Sequence, residues 1–228
     1  GTETIIATPH QLGGFAGNRG DEIRRRVEQL QLQLHSLGVD LTVLPGADVR
    51  IEEGMVNAIA AGEVLTLADR GKHVLLELPH ELYIPLEGLL EKLRRQALVG
   101  VLSHPERNAG LLQRPEILPE LVETGCLMQV TAGSFCGTFG PRCQQLAEWM
   151  LARGLVHFVA TDAHGPKVRR PIMSRAFRRV SELAGATTAT ELCCDFPGLV
   201  ARGADVPTGA RLRPRSGFRS LFRRKKAS

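Results

Sequence analysis

The chain has 228 residues, 43% of them hydrophobic and 23% charged, enough for one large domain with a substantial core. No apolar run approaches the ~18 residues of a membrane span, and low aromatic content leaves Leu, Val, Ile and Ala to fill the core. The net charge of +5 is concentrated at one end: eight Lys/Arg and no acid lie from Arg211 onward, and the rest has 21 basic against 24 acidic residues, net −3. A mildly acidic body with a basic tail gives no support to nucleic-acid binding. The tail, with Phe218, Leu221 and Phe222 among its arginines, reads as disordered or as drawn to an anionic membrane surface. No signal peptide is visible, and a cytoplasmic location is expected.

In chain order, strands are predicted at 3–8, 40–44, 73–78, 98–103, 126–131 and 156–161. Helices are predicted at 21–37, 86–97, 115–124, 141–153 and 171–184. Ile23, Val27, Leu30 and Leu34 have near-helical spacing. Pro115, Pro141 and Pro171 are placed as first-turn residues, and Gly38, Gly125, Gly154 and Gly185 as C-terminal stops. Six strand–helix alternations predict a parallel α/β sheet, open or closed into a barrel. The domain is expected over 1–205 and the tail over 206–228.

The ends of these strands carry the chemistry. The polar residues there are His10, Asp48, Glu77, His104, Thr131, Asp162 and His164, and six of the seven are His, Asp or Glu. In parallel α/β folds that rim is where active sites form. Imidazole and carboxylate donors suit manganese, iron or zinc. Glu77 lies inside the apolar run 74–78, where a carboxylate needs a metal or an arginine to compensate its burial. Asp48 has a plainer reading as a cap for the turn at Pro45-Gly46. His35, His73, His80 and His157 lack a strand-end position and read as surface or core. Glu106 is expected to pair with an arginine and hold its loop. Arg107, Arg169 and Arg170 beside such a cluster suit an anionic, phosphate-like substrate.

The five cysteines fit no zinc motif and read as reduced thiols. Cys136 and Arg142 bracket a stretch with the ends of a cysteine-phosphatase loop, but Phe139 and Pro141 replace its small residues and backbone donors.

Thr4-Ile-Ile-Ala-Thr-Pro-His10, Pro45-Gly-Ala-Asp48, Leu75-Leu-Glu-Leu78, Leu102-Ser-His-Pro-Glu-Arg107 and Ala160-Thr-Asp-Ala-His164, with their spacing, resemble the polymerase-and-histidinol-phosphatase (PHP) superfamily. Within it the closest resemblance is to the bacterial capsule and exopolysaccharide tyrosine phosphatases. It implies a distorted TIM-like (β/α)7 barrel, two or three metal ions, commonly manganese, and hydrolysis of phosphotyrosine. It makes His10, Asp48, Glu77, His104, Asp162 and His164 metal ligands, with Asp48 where the family has Glu. It gives the phosphate to Arg107 and one of Arg169 and Arg170. The family begins with a strand carrying His-x-His and an Asp in a glycine-containing loop, so this chain is expected to be truncated at its front, retaining six of nine ligands. A tyrosine-phosphorylated protein, namely a bacterial tyrosine kinase, is the implied substrate partner, and an oligomer is compatible with the pattern. The rival readings are a histidinol-phosphatase-like enzyme and an inactive barrel acting as a binding module.

Overall fold

A computed structural model describes residues 2–210. Eight strands occur among them: β1 (Thr4–Ala7), β2 (His10–Gln11), β3 (Thr42–Pro45), β4 (Asp48–Arg50), β5 (His73–Glu77), β6 (Val99–Ser103), β7 (Leu127–Thr131) and β8 (Phe158–Ala160). All six predicted strands are present. The two additional ones continue β1 and β3 after short breaks at Thr8-Pro9 and Gly46-Ala47. A proline has no N–H for the ladder and restricts the residue before it, which accounts for the interruption at Pro9.

β1 and β3 form a two-stranded parallel ribbon, and the other six form one parallel sheet in the order β2-β4-β5-β6-β7-β8. Each strand of that sheet therefore pairs with the one preceding it in the sheet's chain order, the sequence of neighbours found in (β/α) barrels. The sheet counts six strands against the seven the resemblance implies. Val49, Val74, Leu76, Val101, Leu102, Leu127 and Val130 are fully buried, as expected for strands covered on both faces.

The helices are α1 (Gly20–Ser36), α2 (Met55–Ala60), α3 (Glu87–Arg95), α4 (Ala109–Gln113), α5 (Ile117–Glu123), α6 (Ala132–Phe135), α7 (Pro141–Ala152), α8 (Ser174–Ala184), α9 (Ala186–Thr190) and α10 (Phe196–Ala201). The five predicted helices are α1, α3, α5, α7 and α8. Helices α2, α4 and α6 are too short for an amphipathic period to declare them, while α9 and α10 join through a π-helical segment at Glu191–Asp195 into one helical run that shifts the period. Pro141 opens α7 as predicted, whereas Pro115 and Pro171 stand in the turns before α5 and α8. Gly38, Gly125, Gly154 and Gly185 all take positive φ at helix ends, which a Cβ would strain. Val206 is buried in the core. The basic stretch from Arg211 lies outside the described residues. Among the described residues no helix is long and apolar enough to cross a membrane.

Candidate metal centre and phosphate-binding arginines

The site assembles at the C-terminal rim of the sheet because of register. His10 is the β-partner of Asp48, and Arg50 is the partner of Glu77. Matched positions on parallel neighbours send side chains to the same face, as do residues two apart on one strand. His10, Asp48, Arg50 and Glu77 are thereby brought together by backbone pairing alone.

Nδ1 of His10 is 3.0 Å from Oε2 of Glu77 and 4.0 Å from Oδ2 of Asp48. One ligand atom from each of the three lies within 4.8 Å of the others. His104, on the turn leaving β6, places Nε2 3.5 Å from Oε1 of Glu77 and 3.9 Å from Oδ2 of Asp48. Asp48 is buried within β4 and accepts a hydrogen bond from Ser103 Oγ at 3.1 Å. It is thus a strand residue and does not cap the Pro45-Gly46 turn. Glu77 is 1% exposed, as its place in an apolar run requires.

Two buried carboxylates side by side set the electrostatics. Burial and the charge of Glu77 push the Asp48 carboxyl up to about 6, against the opposing pull of His104, His10 and Ser103. Burial also pushes Glu77 upward, but contacts with His10 and His104 and the charge of Arg50 outweigh it and hold Glu77 below the usual carboxylate range. The contact with Glu77 raises His10 against the opposite effect of its burial. Oδ1 of Asp48 is buried with no hydrogen-bond partner among the described residues. A buried Asp48 carboxylate with one oxygen left without a partner, beside a second carboxylate and two imidazoles, is a donor set suited to a divalent cation. The residues fit a metal.

Asp162 and His164, on the loop after β8, are placed differently. Asp162 Oδ2 accepts from Arg107 Nη1 at 2.6 Å and is also paired with Arg169. His164 is half-exposed, with Nδ1 3.0 Å from the carbonyl oxygen of Asp162 and its ring centroid 6.4 Å from that of His10. Asp162 therefore ties two arginines to the rim while His164 stands beside His10. Arg170 is exposed and has no ion pair among the described residues. His104, Asp162 and Arg169 all adopt left-handed backbone, at φ of 36°, 48° and 50°. Such strain in non-glycine residues costs ~1–2 kcal/mol each and concentrates at working sites.

Several neighbours were not singled out from sequence. Arg50 Nε is 2.9 Å from Glu77 Oε2; its position two residues after Asp48 on one strand was the available signal. His80, read as surface or core, stacks on His104 with centroids 5.7 Å apart and places Nε2 3.8 Å from Glu77 Oε1. Phe15 lies 4.8 Å from the His10 ring. Phe139, from the stretch bracketed by Cys136 and Arg142, lies beneath two guanidinium groups, 4.3 Å from Arg107 and 5.7 Å from Arg169. Glu106 pairs with no arginine among the described residues: its Oε1 accepts from the Thr131 N–H at 3.0 Å and from Ser134 Oγ at 2.6 Å. It is fully buried in the turn between His104 and Arg107. Burial pushes its carboxyl upward.

Residues 1–202 match the family model described as capsular polysaccharide synthesis, CpsB/CapC. The tyrosine-protein phosphatase YwqE of Bacillus subtilis is 36% identical over 171 residues, which are 74% of this chain and 66% of YwqE, just under two thirds of that protein. The tyrosine-protein phosphatase CpsB of Streptococcus pneumoniae is 27% identical over 203 residues, covering 86% of this chain and 83% of CpsB. A chain from the crystal structures of YwqE and CpsB, described as unique metal-dependent tyrosine phosphatases, superposes with a TM-score of 0.85 at 31% identity. That superposition covers 92% of this chain and 86% of the solved one. With the family model spanning nearly all the described residues and the fold shared at this level, the chain belongs to the CpsB/CapC family of capsular polysaccharide synthesis.

Proposed function

We propose that this protein is a metal-dependent hydrolase of phosphate monoesters, acting on phosphotyrosine in a protein, with a bacterial tyrosine kinase as the physiological substrate and the cytoplasm as its location. The observation that carries this reading is the juxtaposition of a His10–Asp48–Glu77–His104 cluster, buried but for the half-buried His10, with Arg107 and Arg169 at one rim. Manganese is the proposed metal, with Asp162 and His164 joining the ligand set. When bound, the metal supplies Lewis-acid polarisation and a water of lowered pKa.

The chain's own residues supply the rest. Asp48 and Glu77 provide carboxylate oxygens that retain a cation at the rim, and His10 and His104 provide ring nitrogens as further donors. Arg107 and Arg169 carry two positive charges against the single carboxylate of Asp162. A phosphate dianion arriving there replaces Asp162 as their partner, and their forked donors fit its non-bridging oxygens. Phe139 lies beneath both guanidinium groups and packs against them. The tyrosine phenol, with a pKa of about 10, leaves without a strong general acid. No cysteine participates.

The test is phosphate release from a phosphotyrosine peptide by the chain stripped with a chelator and then given Mn²⁺, Fe²⁺ or Zn²⁺, with histidinol phosphate assayed in parallel. Metal-restored turnover of the peptide, unaffected by thiol alkylation and lost in His10→Ala, is the expected result. Turnover that survives chelation, or a preference for histidinol phosphate, refutes the reading.

A further inference from the structure

From Ala163 to Ser181 the chain carries six Lys/Arg and no acid, although the body before Arg211 is net acidic. On α1 and α3 neighbouring arginines are neutralised within their own helices, Arg25 and Arg26 by Glu22 and Arg94 and Arg95 by Glu91. The exposed cations without an ion pair among the described residues before Ala163, such as Arg114, Arg142 and Arg153, stand singly along the chain. In this stretch Arg169 is held by Asp162, and Arg179 by Glu148 and Glu182. The remaining four, Lys167, Arg170, Arg175 and Arg178, are exposed and have no ion pair among the described residues. Four uncompensated charges in twelve residues repel one another, and that repulsion is relieved by an anionic partner.

Their placement says which partner. Lys167 and Arg170 flank Arg169, whose guanidinium is at the rim, within ~7 Å along the chain. Arg175 and Arg178 are neighbours on the first turns of α8, and the six residues from Arg169 to Arg175 span at most ~20 Å. An extended peptide advances ~3.3 Å per residue, so residues within about six positions of a phosphotyrosine seated at Arg107 and Arg169 reach all four cations. A lipid surface fits less well. The apolar side of α8, with Ala176 and Val180, is already buried in the core. The exposed apolar side chains among these cations are two single residues, Val168 and Ile172, on the loop before it, with no continuous apolar face to insert.

We propose that Lys167, Arg170, Arg175 and Arg178 form a docking surface for Asp and Glu side chains flanking the phosphorylated tyrosine, making the preferred substrate an acidic phosphopeptide. This rests on the phosphotyrosine reading of the adjoining site. The surface supplies affinity, not chemistry, so it acts on KM and leaves kcat in place.

The experiment compares two labelled phosphotyrosine peptides on the full chain, one flanked by Asp and Glu and one by Asn and Gln, by fluorescence anisotropy and by steady-state hydrolysis. The acidic peptide is expected to bind roughly 10-fold tighter at low salt, with the advantage shrinking to about twofold near 0.5 M NaCl. The triple variant Lys167→Gln, Arg175→Gln, Arg178→Gln should abolish the difference and leave kcat for p-nitrophenyl phosphate unchanged. Equal affinity for the two peptides, or a salt-insensitive difference, overturns the surface; the salt titration needs no variant. Charge-dependent binding to anionic vesicles that the triple variant loses, with no discrimination between peptides, overturns it in favour of a membrane. Hydrolysis of both peptides at equal KM refutes the surface and leaves the phosphatase reading. Charge-selective binding with no hydrolysis of either peptide refutes the phosphatase reading and leaves the surface.

Discussion

Replacing Glu106 by alanine should destabilise the protein by about 3–5 kcal/mol. The carboxylate oxygen Oε1 serves two donors, the backbone N–H of Thr131 and the hydroxyl of Ser134, at 3.0 and 2.6 Å. All three residues are buried, so neither donor finds water when the acceptor is removed. An orphaned buried donor costs ~1–3 kcal/mol, and the space left by the side chain adds a further penalty. Burial raises the Glu106 carboxyl above its usual range, and relief from burying that group offsets part of the loss. Glu106→Gln keeps the shape and one acceptor oxygen, so it should cost only about 1 kcal/mol. Urea unfolding in the presence of a chelator, which removes metal linkage, reads both as shifts in midpoint at constant slope. An alanine variant within ~1 kcal/mol of the parent, or a glutamine variant as damaged as the alanine one, would refute the argument.

Other changes test other links. His73 is buried at the start of β5, and burial together with the charge of Lys72 pushes its imidazole down to about 4. The unfolded chain therefore takes up this proton first. His73 contributes stability that is intact above pH ~6.5 and is lost as the pH falls toward 4, amounting to about 2–3 kcal/mol. His73→Gln should flatten the acid limb of the stability curve; an unchanged limb means His73 is not the group responsible. At Gly110 an added Cβ would sit 2.4 Å from the backbone nitrogen of Tyr83, so Gly110→Ala should cost about 1–3 kcal/mol in urea unfolding, and a neutral result would show that the 80–83 loop yields. Phe139→Leu removes the ring under Arg107 and Arg169 and should weaken inhibition by inorganic phosphate about 10-fold, while Phe139→Tyr should restore it. Equal phosphate affinity in all three proteins would mean that the ring only covers the arginines.

Much of this architecture is legible in the sequence because strands and ligands coincide. Buried strands announce themselves as apolar runs, and their ends are where His10, Glu77 and His104 stand. The residues that escaped notice are of two kinds. Arg50 shares a strand face with Asp48 at a spacing of two, but β4 is three residues long and shows no alternation to count. His80 and Phe139 reach the site from loops, through turns that no periodicity encodes, and only tertiary packing puts them against His104 and Arg107. Glu106 was expected to meet an arginine because charge is what a sequence displays. The structure satisfies it with a backbone amide and a serine hydroxyl, donors that sequence does not mark.

Because each strand of the main sheet lies beside its predecessor, the sheet can grow in the order of synthesis, every addition docking on an edge already made. The rim is then populated in the same order: His10 and Asp48 early, Glu77 and His104 midway, Asp162 and His164 only when β8 joins. Until that last strand arrives, Arg107 has no Asp162 to pair with. A nascent chain that has not yet added β8 thus holds Arg107 at the rim without its balancing carboxylate, and the pairing of Arg107 with Asp162 reports the docking of the last strand, ahead of α8, α9 and α10.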